Sequence, residues 1–415
     1  MNGLAQLAVK SGYAVSGSDR GYDPSTGLYQ CLEQSRIRIF PQDGSGIGPE
    51  TAQVVFSTAI ESDNPDLAAA RSFGIPLLHR TEFLKQLMGT TSELIAVAGT
   101  AGKTTTTGML GWIFESLGRD PSVYNGAAVL NWKTSDTPGN VRKGNAPLWI
   151  IEADESDRSF LHFEPDHSII TNISRDHHEL DELHALFSRF RAQTTGQIID
   201  GTEAVLASDK PGTFRYRNIE FKVPMPGRHN LENALCAVRL CAALGMDLNQ
   251  VREALLTFRG IERRLEEAGA TRDGNTVIDD YAHNPAKIAA ALAAVSSTYP
   301  RVHAYWRPHG YAPLSQHMDA LVEVFCNHAK KGMGMLYILP VYYAGGTVER
   351  TASSEVLAER LDSAGLAAEF VPDYDTLKNE LEACARVGDA ILGMGARDPE
   401  LPRFAKRLVD EWKNS

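Results

Sequence analysis

The chain lacks the cysteine patterns that would mark a disulfide frame or a zinc site. Its five cysteines (Cys31, Cys236, Cys241, Cys326, Cys384) are odd in number and include no C-x-x-C spacing, which predicts free thiols of a reducing compartment. Basic runs and aromatic–basic ribbons are absent, and the formal net charge is −11. Both argue against a general nucleic-acid binder. No apolar run approaches the ~20 residues of a membrane-spanning helix, and no secretory leader is expected. Repeats and low-complexity tracts are missing too. These absences lead to the expectation of a cytoplasmic protein with neither membrane nor nucleic acid as partner.

What is present describes an ordinary globular protein, 43% hydrophobic and 22% charged. At 415 residues it exceeds what one core serves, so two or three domains are expected. Met1 to Lys10 reads as a helix with Leu4, Leu7 and Ala8 on one face, and Tyr13 to Asp19 as the next strand. A nucleotide-binding α/β unit begins with a strand and a glycine-rich turn before such a helix. Neither precedes it here, so the segment reads as a Rossmann-like unit entered after its first strand. Asp19 ends a strand where these folds contact a ribose, and a simple turn aspartate is the alternative. Further α/β units run to a boundary near Gly89, followed by a parallel-stranded central domain and a third α/β domain. The expected division is 1–90, 91–259 and 260–415, all of α/β class.

Six groups of residues carry chemistry. Gly99-Thr100-Ala101-Gly102-Lys103-Thr104-Thr105 follows the apolar run Leu94 to Ala98 and precedes a helix read from Gly108 to Phe114. Glycines there let backbone N–H groups face a phosphate, Lys103 adds a full charge, and the Thr104 hydroxyl suits Mg²⁺. Val97 stands where the common phosphate loop has its first glycine, so this is a shortened variant. Glu152-Ala153-Asp154-Glu155-Ser156-Asp157 and Thr171-Asn172-Ile173-Ser174-Arg175-Asp176-His177 follow two more apolar strands. Carboxylates and an imidazole at such strand ends can hold a metal ion, although an acidic loop or a lone histidine is more often only solvated. Together, the three strand ends outline one Mg·ATP site. Gly227-Arg228-His229-Asn230-Leu231-Glu232-Asn233 opens a helix, with Asn230 as N-cap and Asn233 a turn later. Arg263-Arg264 marks the next boundary, and Asp279-Asp280-Tyr281-Ala282-His283-Asn284-Pro285 enters a helix at its proline.

These motifs, in this order, resemble the Mur ligases across the whole chain. The Glu152–Asp157 cluster with Arg158-Ser159-Phe160-Leu161, and the opening segment, are similar to the branch that acts on UDP-N-acetylmuramate and to its murein-recycling relative. The resemblance implies ATP-dependent, ADP-forming amide synthesis for peptidoglycan precursors. The carboxylate of a UDP-N-acetylmuramate-like acid is phosphorylated, and the amine of L-alanine, another amino acid or a short peptide attacks the acyl phosphate. It implies that Gly99, Thr100, Gly102, Lys103, Thr104 and Thr105 cradle the nucleotide phosphates, that Thr104 holds a first Mg²⁺ and that Glu152 and His177 hold a second. Asn230, Asn233, Arg264 and Asp280 would face the nucleotide. Asp19, Ser156, His283, Arg307 and His309 would face the substrates, in a monomer or homodimer.

The chain departs from that pattern in places. Ala101 stands where the branch has histidine. Arg307-Pro308-His309-Gly310-Tyr311-Ala312-Pro313 lacks both arginines of the corresponding Q-P-H-R-Y-T-R segment, with Gly310 and Pro313 in their places. A guanidinium fork is the natural clamp for a carboxylate. The acceptor therefore stays open between L-alanine, with Arg307 as substitute, and a different amine. A nucleotide-binding relative without ligase activity is the remaining alternative.

Overall fold

The computed structural model describes residues 1–24, 26–89, 92–174, 180–202, 206, 210–329, 332–342 and 352–412. It divides into two units: Met1–Pro224 with Asn230–Ile261, and Met225–His229 with Glu262–Ser415.

The first unit opens with α1 (Asn2–Lys10), β1 (Ser16–Ser18), α2 (Gly27–Gln34), β2 (Arg38–Phe40), β3 (Val54–Phe56), α3 (Pro65–Ser72), β4 (Leu77–His79) and α4 (Arg80–Met88). The strand expected from Tyr13 to Asp19 shrinks to β1, since Tyr13 leaves the ladder and packs edge-on against Phe83. The four strands form two separate parallel pairs, β1 with β2 and β3 with β4.

The unit continues with β5 (Glu93–Ala98), α5 (Lys103–Ser116), β6 (Ser122–Tyr124), β7 (Val141–Arg142), β8 (Leu148–Glu152), β9 (His167–Ile170), α6 (Leu180–Gln193) and β10 (Ile198–Asp200). A hairpin of β11 (Thr213–Tyr216) and β12 (Ile219–Lys222) follows, then α7 (Arg228–Ala243) and α8 (Leu248–Leu256). Arg217 and Asn218 turn the hairpin with φ of 46° and 66°, as a two-residue connection with matching twist requires. The main sheet has the order β10-β9-β5-β8-β6-β7 and is parallel except at β7. Its central strands are buried on both faces, which explains their unbroken apolar runs. Leu4 and Leu7 of α1 and Phe83 and Leu84 of α4 belong to the same core as Trp149, Ile151 and Phe187.

The second unit contains β13 (Glu266–Ala270), β14 (Thr276–Asp280), α9 (Pro285–Ser296), β15 (Val302–Arg307), α10 (Tyr311–Ala329), β16 (Met333–Ile338), α11 (Ser354–Ser363), β17 (Ala368–Phe370), α12 (Tyr374–Cys384), β18 (Ala390–Gly395) and α13 (Glu400–Glu411). The sheet order is β13-β14-β18-β15-β16-β17, parallel except at β13. Alternate residues of the strands feed two cores. Ala304, Trp306, Leu336 and Leu392 face one, and Tyr305, Tyr337 and Ile391 the other. Among the described residues no helix is long and apolar enough to cross a membrane.

Candidate functional site

Strand β5 lies between β8 and β9, so three adjacent carboxyl ends deliver their loops to one place. That end of an open parallel sheet is where such folds bind ligands. The helix after β5 starts at Lys103, five residues before the expected Gly108, and Gly102 caps it at φ +83°. Lys103, Thr104 and Thr105 therefore occupy the first helical turn, whose N–H groups have no intrahelical acceptors. A side chain at Gly102 is excluded twice, because a Cβ would stand 2.2 Å from Asn233 Oδ1. Gly99, at φ +134°, would bring one within 2.1 Å of Thr171 Oγ1.

The loop is braced by the segment after β9. Asn172 Oδ1 accepts from the Ala101 N–H at 2.9 Å and from Thr100 Oγ1 at 2.7 Å. Thr171 Oγ1 donates to the Ala101 carbonyl at 2.5 Å, and Thr100 Oγ1 also accepts the Ser174 N–H at 3.0 Å. The Ala101 amide is engaged by Asn172, which leaves the amides of the helix start and Lys103 as the groups that could meet an anion.

Lys103 Nζ lies 2.6 Å from Glu155 Oε2 and donates to the Gly99 carbonyl at 2.9 Å. Burial works against its charge, but Glu155, Glu152 and Asp154 outweigh it and raise its pKa. Burial also pushes the Glu155 carboxyl up, while Lys103 draws it back. At 2.6 Å the pair is an ion pair at neutral pH. Thr104 Oγ1 donates to Glu152 Oε1 at 3.0 Å, and the other Glu152 oxygen accepts the Gly126 N–H at 2.7 Å. Gly126 makes that approach possible, since a Cβ would come within 2.6 Å of the carboxylate.

The rest of the acidic loop is tied to α4. Arg80 reaches Asp157 at 2.7 Å and Asp154 at 3.8 Å. Burial disfavours the Asp157 carboxylate, yet hydrogen bonds from Ser159 and the Arg80 guanidinium prevail and bring it down to about 2. Ser156 is exposed in the same loop, its N–H turned back on Asp154 Oδ1. Asp19 accepts the Gly21 N–H at 2.8 Å.

Asn230 is not an N-cap. Helix α7 begins at Arg228 directly after Gly227, whose φ of +94° breaks the chain there, so Asn230 lies inside the first turn and is buried. Asn233 comes to the phosphate loop at Gly102. His177 lies outside the described residues.

In the second unit, Asp280 ends β14 and accepts the N–H groups of Leu265 and Ala282, each at 2.8 Å. Burial pushes its carboxyl up to about 6. The Arg264 guanidinium lies over the Tyr281 ring, and its neighbour Arg263 pairs with Asp279 at 2.9 Å. His283 and His309 meet edge to face at 4.8 Å, and burial holds His283 neutral with a pKa of about 4. Arg307, the expected substitute clamp, is already committed. It pairs with buried Asp398 at 2.5 Å and donates to the Pro340 carbonyl at 3.1 Å.

Sequence reasoning passed over Asn172, Glu155 and Arg80. Asn172 and Glu155 stood inside motifs singled out for other members, and their position just past an apolar strand was the available signal. Arg80 reaches its partners across 77 residues and has no local signature.

Family models match three stretches: "Mur ligase family, catalytic domain" over residues 1–91, "Mur ligase middle domain" over 97–187, and "Mur ligase, glutamate ligase domain" over 263–397. The UDP-N-acetylmuramate–L-alanine ligase of Acetivibrio thermocellus is 31% identical over 96% of this chain and 91% of its own. That of Paracoccus denitrificans is 34% identical over 95% and 91%. The solved UDP-N-acetylmuramate-alanine ligase of Thermotoga maritima superposes with a TM-score of 0.82 at 26% identity, covering 99% of this chain and 96% of its own. A murein peptide ligase from Psychrobacter arcticus shares the fold, with a TM-score of 0.65 at 23% identity over 100% and 97% of the two chains.

Proposed function

The chain belongs to the Mur ligase family, and from that premise we propose that it is an ATP-dependent ligase joining an amino acid to the carboxylate of UDP-N-acetylmuramate. The observation that carries this reading is the convergence of Lys103, Thr104 and Glu152 on one end of the central sheet. The likeness to L-alanine ligases over nine-tenths of their length supports it. In the division we propose, residues 1–90 bind the UDP-linked acid, 91–259 bind ATP, and 260–415 bind the acceptor.

In the mechanism, the free amides at the start of α5 and the Lys103 ammonium bind the β- and γ-phosphates and neutralise charge on the transferring phosphoryl group. Nucleotide phosphates compete with Glu155 for Lys103, so Glu155 keeps the lysine charged and aimed until they arrive. The Thr104 hydroxyl and the Glu152 carboxylate are hard oxygen donors 3.0 Å apart, and they fit Mg²⁺. Bound there, Mg²⁺ would supply Lewis-acid stabilisation of phosphate charge; His177 is the further ligand we assign. Asn172 and Thr171 hold the loop in shape through each turnover. Asn230, Asn233, Arg264 and Asp280 are assigned to nucleotide positioning, and Asp19 and Ser156 to the UDP-linked acid.

The acceptor side carries a second reading. Gly310 and Pro313 offer no cation, and Arg307 is held by Asp398, which favours an acceptor other than L-alanine. His283 and His309 remain there as neutral hydrogen-bonding groups suited to such an acceptor.

Trapping with hydroxylamine tests the reaction type. With ATP and UDP-N-acetylmuramate but no amino acid, the acyl phosphate should yield the sugar nucleotide's hydroxamate. ATP consumption without any hydroxamate would overturn the reading. Repeating the reaction with single amino acids and short peptides identifies the acceptor.

A further inference from the structure

The amino-terminal ends of β15, β16 and β18 lie at the opposite edge of the second sheet from Asp280 and Arg307. Three chemistry-bearing side chains stand in line there. Cys384, the last residue of α12, has its Sγ 3.3 Å from His303 Nδ1. His303 Nε2 lies 3.1 Å from Asp389 Oδ2. The tautomer follows from the neighbours. The Met335 N–H points at Nδ1 from 3.2 Å, so Nδ1 carries the lone pair and Nε2 the hydrogen that Asp389 accepts. Asp389 is fixed by the Arg386 N–H at 2.8 Å, with Arg301 at 4.0 Å. The imidazole is fully buried and lies flat against Gly334, where a Cβ would come within 2.7 Å of the ring. Tyr337 places its hydroxyl 3.4 Å from Sγ.

A thiol, an imidazole whose Nδ1 lone pair is shared between the sulfur and the Met335 N–H, and a carboxylate behind the imidazole are the parts of a base-assisted nucleophile. Ligands of open parallel sheets bind at the carboxyl ends, so the ligase reaction has no use for this group. Cys31, Cys236 and Cys241 are buried, and burial pushes the latter two up to about 12. Cys384, by contrast, is half-buried.

We propose that Cys384 is a base-assisted thiol and a site of reversible modification by small-molecule disulfides. As Sγ attacks one sulfur of R–S–S–R, its proton passes to His303 Nδ1, which gives up the Met335 N–H as it takes the proton. The Cys384–S–R bond forms while the R–S–S–R bond breaks, and the departing thiolate takes the proton from the imidazolium as R–SH. The incoming disulfide is the oxidant, and no other redox partner enters. Burial raises the thiol and lowers the imidazole, so the resting pair is neutral, with the thiol hydrogen shared between Nδ1 and the Leu381 carbonyl 3.8 Å away, and charge develops only during attack. Around the imidazole the charged groups are Asp389, Arg301 and Arg386, and around the thiol Glu380, Arg301 and Asp389, with Tyr337 adjacent.

The test treats the full chain with excess 4,4′-dithiodipyridine and maps the modified cysteines by peptide mass. Cys326, also half-buried, is the internal reference. Cys384 should react about tenfold faster than Cys326 at pH 7. Its rate should fall on acidification as His303 protonates and level off above, rather than climbing with thiolate fraction through pH 9. His303→Asn keeps an acceptor for Met335 but no base, and should bring Cys384 to the Cys326 rate with ligase turnover unchanged. If that variant does not fold, Asp389→Asn should lower the Cys384 rate several-fold. A wild-type Cys384 no faster than Cys326 would overturn the proposal. So would an unchanged rate in a folded His303→Asn or Asp389→Asn variant, or a pH profile of a simple thiol.

Discussion

At the scale of single residues, function rests on a few charges whose surroundings set their state. Lys103 is held charged by three carboxylates and faces the helix start. Lys103→Ala should reduce ADP release by about 10²-fold or more, and it should also lower the melting temperature because buried Glu155 loses its counter-ion. Release at the wild-type rate would contradict its role. Two aspartates make opposite pH predictions. Asp157 is depressed to about 2 in the folded chain. The stability it adds is present above the unfolded carboxylate's pKa of ~4 and drains away as pH falls from there toward 2. Asp280 is raised to about 6. Its folded state binds a proton more tightly than the unfolded chain, so stability declines as pH rises from ~4 to 6. Urea midpoints measured against pH should show both limbs. Asp157→Asn should be less stable than wild type at neutral pH and converge with it near pH 2, whereas Asp280→Asn should flatten the slope between 4 and 6. These residues were partly legible. The Lys103 and Glu152 motifs announce phosphate and metal chemistry, but the pairing of Lys103 with Glu155, and of Arg307 with Asp398, depends on tertiary placement that no local pattern encodes.

At the scale of elements, the turn from β5 into α5 is where the proposed function places the nucleotide. Gly102→Ala forces a left-handed residue to carry a Cβ, at about 1–2 kcal/mol, and drives that carbon toward Asn233. ADP affinity by calorimetry should fall about tenfold or more, and an unchanged affinity would refute this role for the loop. Asn172→Ala removes the acceptor of the Ala101 amide and of the Thr100 hydroxyl. It should raise the KM for ATP more than it lowers kcat, because the reacting groups themselves remain. The strands flanking this turn were readable as apolar runs because both faces of a parallel sheet are covered. Polar β11, β12 and β13 gave no such run. The start of α7 was misplaced because the asparagine is a good cap by composition, while the deciding residue was Gly227 with its positive φ.

At the scale of the whole molecule, the punctuation near Gly89 suggested a boundary, and the packing crosses it. Leu4, Leu7 and Phe83 share a core with Trp149 and Ile151, and Asn140 bonds both Gln6 and Asn2 at 3.0 and 2.7 Å. Leu7 is fully buried, so Leu7→Ala should cost about 2–5 kcal/mol. Hydrogen exchange should then report loosening of β8 together with α1, and loosening confined to α1 would separate the two. The α/β class and the order of the segments were legible because hydrophobic periodicity is local. The central claim is that this chain spends ATP to form an amide on UDP-N-acetylmuramate. Its most direct test is ADP release followed with ATP, UDP-N-acetylmuramate and L-alanine, each omitted in turn, and with other amino acids and short peptides replacing L-alanine. The predicted result is one ADP per amide formed, with an absolute requirement for the sugar nucleotide and an amine acceptor. ADP release indifferent to UDP-N-acetylmuramate, or none with any acceptor, would contradict it.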